Sequence, residues 1–238
     1  MGDKGVVLVT GASRGVGEKI ALTFADAHFK VIAVSRNITG SAFYQSIVKQ
    51  KRDIMCYDAD VTREADVRKL MDKIAEENTS IDILVNNAGI ARVKPFNEIT
   101  LEEWKEVLDI NLTAVFLCIK YAFPLMKKEP QRKKHIFNML SRASQAGFPG
   151  WSAYCAAKFG TLGFTEAIRQ ELKEYGIRIT GIISGATNTT LWDNLPGTWD
   201  KSQMLEPQTV ADTVKEIYDK PDDAVIEKIV LMPRGGVQ

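Results

Sequence analysis

Residues 5–17 read GVVLVTGASRGVG, and their order sets the architecture. The run GVVLVT at 5–10 is short and apolar, fit for a strand buried inside a sheet. A glycine-rich turn follows at once. Beyond it, VGEKIALTFADAHF places Val16, Ile20, Leu22, Phe24 and Ala27 in a broadly helical apolar pattern. A strand that passes through a tight turn straight into a helix is the opening unit of a layered α/β chain.

The alternation repeats outward from that unit. KVIAVS at 30–35 reads as a second strand, and RDIMCYDAD at 52–60 contains a third. EADVRKLMDKIAEEN at 64–78 is helical, with Val67, Leu70, Met71 and Ile74 on one face. IDILVNNAG at 81–89 is a fourth strand ending in a turn. A long helix is expected from about Leu101 to Lys128, bent or interrupted near Pro124. KHIFNML at 134–140, IRITGII at 177–183 and VIEKIVLMP at 225–233 supply the remaining strands. The helices between them span 152–175, stopped by Gly176, and VADTVKEIYDK at 210–220. This pattern predicts a three-layer, doubly wound Rossmann-type α/β fold with a mostly parallel central sheet of about seven strands. The whole chain, 1–238, reads as one domain. Its least regular stretch, 184–207, is long enough to be an active-site lid.

Composition narrows the function. Net charge is +1, and Lys and Arg are scattered, so nothing favours a nucleic-acid or anionic-membrane partner. The N-terminus carries no pattern of a signal peptide, and no apolar run approaches the roughly 20 residues that span a bilayer. Cys56, Cys118 and Cys155 have no metal-ligand spacing, and their odd number rules out a complete internal disulfide framework. A reducing cytoplasm is the expected compartment. With His28 and His135 as the only histidines, a histidine-based metal site or a Ser-His-Asp triad is not expected. Both read as structural.

The turn after the first strand carries Gly11, Gly15 and Gly17 at the start of a helix. Glycines let the backbone approach a pyrophosphate, and the helix N-terminus adds free N–H groups and a favourable dipole. The second strand ends AVSRN, with Ser35 and Arg36 and no acid. A carboxylate there would hold a ribose 2′-hydroxyl, whereas arginine accommodates a 2′-phosphate. Arg14 inside the loop adds a second cation, so the pair favours NADP(H). Asp60 after the third strand is a candidate for the adenine amino group, or equally for capping the helix that begins near Thr62 or Glu64.

Taken in order, the glycine loop, NNAG at 86–89, Asn111, Ser141 and Tyr154-x-x-x-Lys158 resemble the short-chain dehydrogenase/reductase family over essentially the whole chain. The resemblance implies that Tyr154 is the general acid in carbonyl reduction and that Ser141 hydrogen-bonds the substrate oxygen. Lys158 would hold the nicotinamide ribose and lower the tyrosine pKa, and Asn111 would support a water linking Lys158 to solvent. Cofactor contacts would come from Gly11, Ser13, Arg14, Gly15, Val16 and Gly17, from Arg36, Asp60 and Val61, and from Asn87, Ala88 and Gly89. Tyr154, Lys158, Thr187 and Thr189 would complete them. The chemistry agrees: a donor must deliver a proton to the developing oxyanion, and a lysine one helical turn from a tyrosine favours the phenolate.

Two departures stand out. Leu140 replaces the first of two serines common in the family, and Ser184-Gly185 replaces a proline-glycine. Leu191, Trp192, Leu195 and Trp199, with Phe148, Pro149 and Trp151, suggest a pocket for an apolar or flat carbonyl compound, or an anchor for the lid. Arg92, Lys94 and Arg142 are the candidate cations that an acyl-carrier-protein substrate would use. Apolar helices around 111–126 and after Tyr154 lead us to expect a homodimer or homotetramer. A 3-oxoacyl thioester reductase, a weakly catalytic NADP(H)-binding sensor and a nucleotide-sugar epimerase are the competing readings.

Overall fold

All seven strands run parallel, in the order β3-β2-β1-β4-β5-β6-β7. They are β1 Val6–Thr10, β2 Lys30–Ser35, β3 Ile54–Asp58, β4 Ile83–Asn86, β5 Lys134–Ser141, β6 Ile177–Ser184 and β7 Lys228–Leu231. The helices are α1 Gly15–Asp26, α2 Ala42–Lys49, α3 Glu64–Glu76, α4 Leu101–Leu108, α5 Ala114–Met126, α6 Ser152–Leu172 and α7 Pro207–Asp219. The computed structural model describes residues 5–77 and 80–236. Met1–Lys4 and Asn78, on which the readings of the N-terminus and of the third helix's end partly fall, lie outside the described residues.

Alternation along the strands distributes the core. Leu8, Ile32, Leu84, Ile136 and Ile179 face one layer, packing with Leu70, Met71 and Ile74 of α3 and with Leu117 and Cys118 of α5. Val7, Val9, Val31, Phe137 and Ile182 face the other, against Ile20 and Phe24 of α1, Phe43 and Ile47 of α2, and Val210 and Val214 of α7. Because both faces are covered, the strands carry near-continuous apolar runs. At the sheet's amino end, buried Asp82 accepts from the Val6 amide at 2.7 Å and from Lys134 Nζ at 2.6 Å, tying β1 to the β4–β5 edge.

Four expectations need correction. Helix α2 has no counterpart in the sequence reading; it starts at Ser41, whose Oγ accepts from the Tyr44 amide at 3.2 Å. The long helix is not broken at Pro124, which lies inside α5. Only two helical residues follow it, and the missing N–H frees the carbonyl of Lys120, an exposed residue of the same helix. The irregularity falls instead at Asp109–Thr113, one wide turn with i→i+5 bonding between α4 and α5. Finally, the continuous Leu101–Met126 helix is long and apolar enough to cross a membrane by length and composition. Here its apolar side packs on the sheet and on α3.

Helix α6 passes into a short 3₁₀ turn and stops at Gly176, whose φ of 67° is the left-handed cap the glycine suggested. His28, at φ 65°, plays a similar role after α1. His135 is buried on β5, with Nε2 2.8 Å from the Thr180 hydroxyl.

Candidate active site

The carboxyl ends of the strands open into a cavity of about 730 Å³, where ligands of parallel α/β sheets bind. Gly11, at φ 65°, and Gly15, at φ 61°, adopt backbone that L side chains avoid. A Cβ on Gly17 would meet the Gly11 carbonyl oxygen and Asn87 Nδ2 at 2.4 Å. Asn87 locks the loop by donating from Nδ2 to the carbonyls of Thr10 and Gly11 at 3.0 and 3.1 Å. The Thr10 hydroxyl accepts the amides of Asn87 and Ala88 at 3.0 and 3.1 Å. The glycine loop and the NNAG turn are therefore one hydrogen-bonded unit.

Gly11, Ser13, Arg14, Gly15, Val16, Arg36, Val61, Asn87, Ala88 and Gly89 line this end of the cavity, joined by Ser35, Asn37, Ser41 and Ala42. The N-terminus of α2 thus reaches the site beside Arg36, a feature the sequence reading missed with the helix itself. The serine three residues before Tyr44 was the available signal. Gly17 supports the loop from beneath and is not on the cavity wall. Asp60 is also outside the wall: its Oδ1 accepts from the Thr62 amide at 3.0 Å and hydroxyl at 2.7 Å. It closes a turn and caps no helix, since α3 begins after Arg63.

The wide turn between α4 and α5 places Asn111. Its Nδ2 donates to the carbonyls of Val107 and Ile90, both at 2.9 Å, clamping the residue after NNAG to the helix. The Asn111 carbonyl accepts from the Thr161 hydroxyl of α6 at 2.7 Å. Its buried Oδ1 has no hydrogen-bond partner among the described residues, and a Cβ on Gly89 would lie 2.7 Å from it.

Ser141 ends β5, and its Oγ accepts from the Ala143 amide at 3.2 Å, which fixes the hydroxyl at the head of a short turn. One turn into α6, Tyr154 and Lys158 come to the same wall. Lys158 Nζ lies 5.6 Å from the centre of the Tyr154 ring and donates to the Met139 carbonyl at 2.8 Å. Burial pushes the Tyr154 phenol up to about 12, against the opposing pull of its hydrogen bond with Ser141. Burial also brings Lys158 down to about 8, which weakens the charge it could lend to the phenolate.

Thr189 lines the cavity, and Thr187 lines it from a buried position. The segment behind them is a loop with a pinned neck: Thr187 pairs with Leu205, and Trp192 Nε1 donates back to the Thr187 carbonyl at 2.9 Å. Tyr154, Trp151, Trp192 and Trp199 form an aromatic row with successive centroids 5.5, 6.0 and 4.6 Å apart. Of the family departures, Leu140 fits because Gly181 of β6, which pairs with Asn138, leaves room for its side chain: a Cβ there would meet Leu140 Cδ1 at 2.8 Å. Gly185 lets the end of β6 approach Pro233, with its amide on the Leu231 carbonyl at 2.8 Å.

Comparison with known proteins agrees with this geometry. The family model described as short chain dehydrogenase matches residues 5–198. A sepiapterin reductase of Chlorobaculum tepidum is 33% identical over 98% of both chains. A 3-oxoacyl-[acyl-carrier-protein] reductase of Synechocystis is also 33% identical, over 98% of this chain and 96% of that one. Among solved structures, an alcohol dehydrogenase from the archaeon Thermococcus sibiricus, complexed with 5-hydroxy-NADP, shares the fold with a TM-score of 0.86, at 23% identity over 97% of each chain. A family model over most of the chain and relatives a third identical over nearly its whole length show the same thing: the chain belongs to the short-chain dehydrogenase family of oxidoreductases.

Proposed function

We propose that the protein is an NADP(H)-dependent oxidoreductase interconverting a ketone or aldehyde and its alcohol, with Tyr154 as general acid and base. The observation that carries this reading is the make-up of the cavity wall. Ser141, Tyr154 and Lys158 stand at one end and Arg14 and Arg36 at the other, and no carboxylate is among the lining residues. A polyanionic dinucleotide fits such a wall. The glycine loop and the start of α1 would cradle the pyrophosphate, and Arg14 and Arg36, beside the N-terminus of α2, would take the 2′-phosphate. Val61 and the Asn87-Ala88-Gly89 turn would flank the nucleoside, Lys158 the nicotinamide ribose, and Thr187 and Thr189 the carboxamide.

The bound nicotinamide supplies a hydride to the carbonyl carbon. The protein's own part is to hold the oxygen and protonate it. Burial keeps Tyr154 protonated at neutral pH, so its O–H proton is available to the developing alkoxide, while Ser141 donates a second hydrogen bond. Lys158 and a water held by Asn111 would return a proton to Tyr154.

The Synechocystis relative raises a 3-oxoacyl-acyl-carrier-protein substrate. An acidic carrier needs several unpaired cations at the entrance, but of Arg92, Lys94 and Arg142 only the last has no carboxylate partner among the described residues: Arg92 pairs with Glu106 at 2.8 Å and Lys94 with Glu103 at 2.5 Å. The aromatic row instead favours a small flat or apolar carbonyl compound. The three free cysteines suit a reducing cytoplasm, and a homodimer or homotetramer is the expected assembly. The 184–207 stretch would act as the substrate lid.

The test is the rate of cofactor oxidation with NADPH and with NADH over small diketones, aromatic aldehydes and a 3-oxoacyl thioester, with Tyr154→Phe in parallel. NADPH-dependent turnover that falls about 10²- to 10⁴-fold in the variant is expected. Preference for NADH would remove the role given to Arg14 and Arg36. Tight NADPH binding with no turnover on any carbonyl would replace an enzyme with a nucleotide sensor.

A further inference from the structure

We propose that the substrate of this site carries a carboxylate close to its reacting carbonyl, and that Arg142 binds it. The proposal rests on the carbonyl-reductase reading above. Four charged residues line the cavity, and all are cations: Arg14, Arg36, Arg142 and Lys158. The first two stand at the glycine-loop end and Lys158 belongs to the reacting group. Arg142 is left without a task.

Its position indicates one. Arg142 directly follows Ser141, whose hydroxyl faces the reacting oxygen in that reading, and it opens the segment that continues through Phe148 and Trp151. It is half-buried, and its Nη1 donates to a neutral partner, Gln145 Oε1, at 3.0 Å. Among the described residues no carboxylate pairs with it, in contrast to Arg92 and Lys94. A guanidinium that lines a cavity without acids is complemented by a planar anion that accepts two parallel hydrogen bonds. The aromatic row of Trp151, Trp192 and Trp199 would cover the rest of the molecule.

The substrate class is therefore an oxo acid with an aryl or bulky apolar group. In its reduction, hydride from NADPH goes to the carbonyl carbon and the Tyr154 proton to the oxygen. The product is the hydroxy acid, NADP⁺ is released, and the carboxylate is unchanged.

Benzoylformate and its methyl ester differ chiefly in that charge. Both are titrated against the NADP⁺-loaded protein by quenching of tryptophan fluorescence, and both are assayed as substrates with NADPH. The acid is expected to bind roughly ten- to hundredfold more tightly than the ester, as a charge-assisted pair predicts. In Arg142→Gln that advantage disappears, in Arg142→Lys it returns in part, and the KM for the acid rises more than kcat falls. Circular dichroism verifies that each variant is folded. Equal affinity for acid and ester, or quenching by neither, overturns the proposal. So does an Arg142→Gln variant whose defect lies in NADPH affinity. Failure of the underlying reading looks different: the acid's advantage in binding persists while no carbonyl compound oxidises NADPH.

Discussion

Burial moves Tyr154 and Lys158 in opposite directions, the phenol to about 12 and the ammonium to about 8. A carbonyl reductase needs the protonated tyrosine, which is present throughout the neutral range, so kcat/KM for reduction should stay flat between about pH 6 and pH 9. Alcohol oxidation needs the phenolate. Its rate should climb with pH, steeply below about pH 8 and more gently above it as Lys158 loses its proton. Assays in both directions across this range measure the two profiles; oxidation that does not vary with pH would remove Tyr154 as the base. A second residue titrates in the core. His135 is held neutral by burial, with Arg178 and Lys133 adding repulsion, so its folded pKa lies well below 6.5. It faces Thr180, Phe137 and Tyr218 as well. The unfolded chain binds the extra proton first, so this contribution is full above about pH 6.5 and is lost as pH falls below that value. His135→Gln should flatten the acid limb of urea-melt stability against pH.

At the scale of elements, the join between β1 and β4 is the feature most exposed to a single change. Thr10→Val keeps the shape but strips the acceptor from the Asn87 and Ala88 amides. The loss should be about 2 kcal/mol in urea denaturation, with weaker NADPH binding. Gly17→Ala should sharply weaken nucleotide binding, because the new methyl collides with the Gly11 carbonyl, a backbone group, as well as with the Asn87 side-chain amide that locks the loop. Both motifs were plain in the sequence, since glycines and asparagines at strand ends have few other uses. Helix α2 was not. It has eight residues and only Phe43 and Ile47 buried, too short a pattern to display a period. The wide turn at Asp109–Thr113 left no mark either: DINLT contains neither proline nor glycine, and the extra residue is accommodated by Asn111 bonding to Val107 and Ile90 across the fold.

For the molecule as a whole, apolar runs at strand length separated by helical patterns sufficed for the layered parallel sheet. That Ser141, Tyr154 and Lys158, the proposed catalytic group, share one cavity wall was legible because they lie close in sequence. On the facing side Trp151, Trp192 and Trp199 were already candidates for a pocket or a lid anchor, but Met232 was not, since it comes from a distant segment that reaches the cavity only after folding. One surface remains apolar. Phe116 on α5 and Phe159 on α6 are 43% and 46% exposed, and Phe116 packs edge-on against Phe164. Phe116→Glu combined with Phe159→Glu should shift sedimentation toward the monomer, by placing charge in a contact between copies. A wild-type protein that already sediments as a monomer would remove that expectation.

The neck at Thr187 and Leu205 has a consequence for descent as well as for catalysis. Because the loop's two ends are stapled to each other before the chain enters α7, the residues between them form an exchangeable cassette. Beyond Thr189, which lies against the glycine loop, its length and side chains can be rewritten without passing strain to the sheet. Grafting residues 190–203 from a relative of different substrate preference should therefore transplant selectivity onto an otherwise unaltered body, and one family could diversify its chemistry by editing a single stretch of chain.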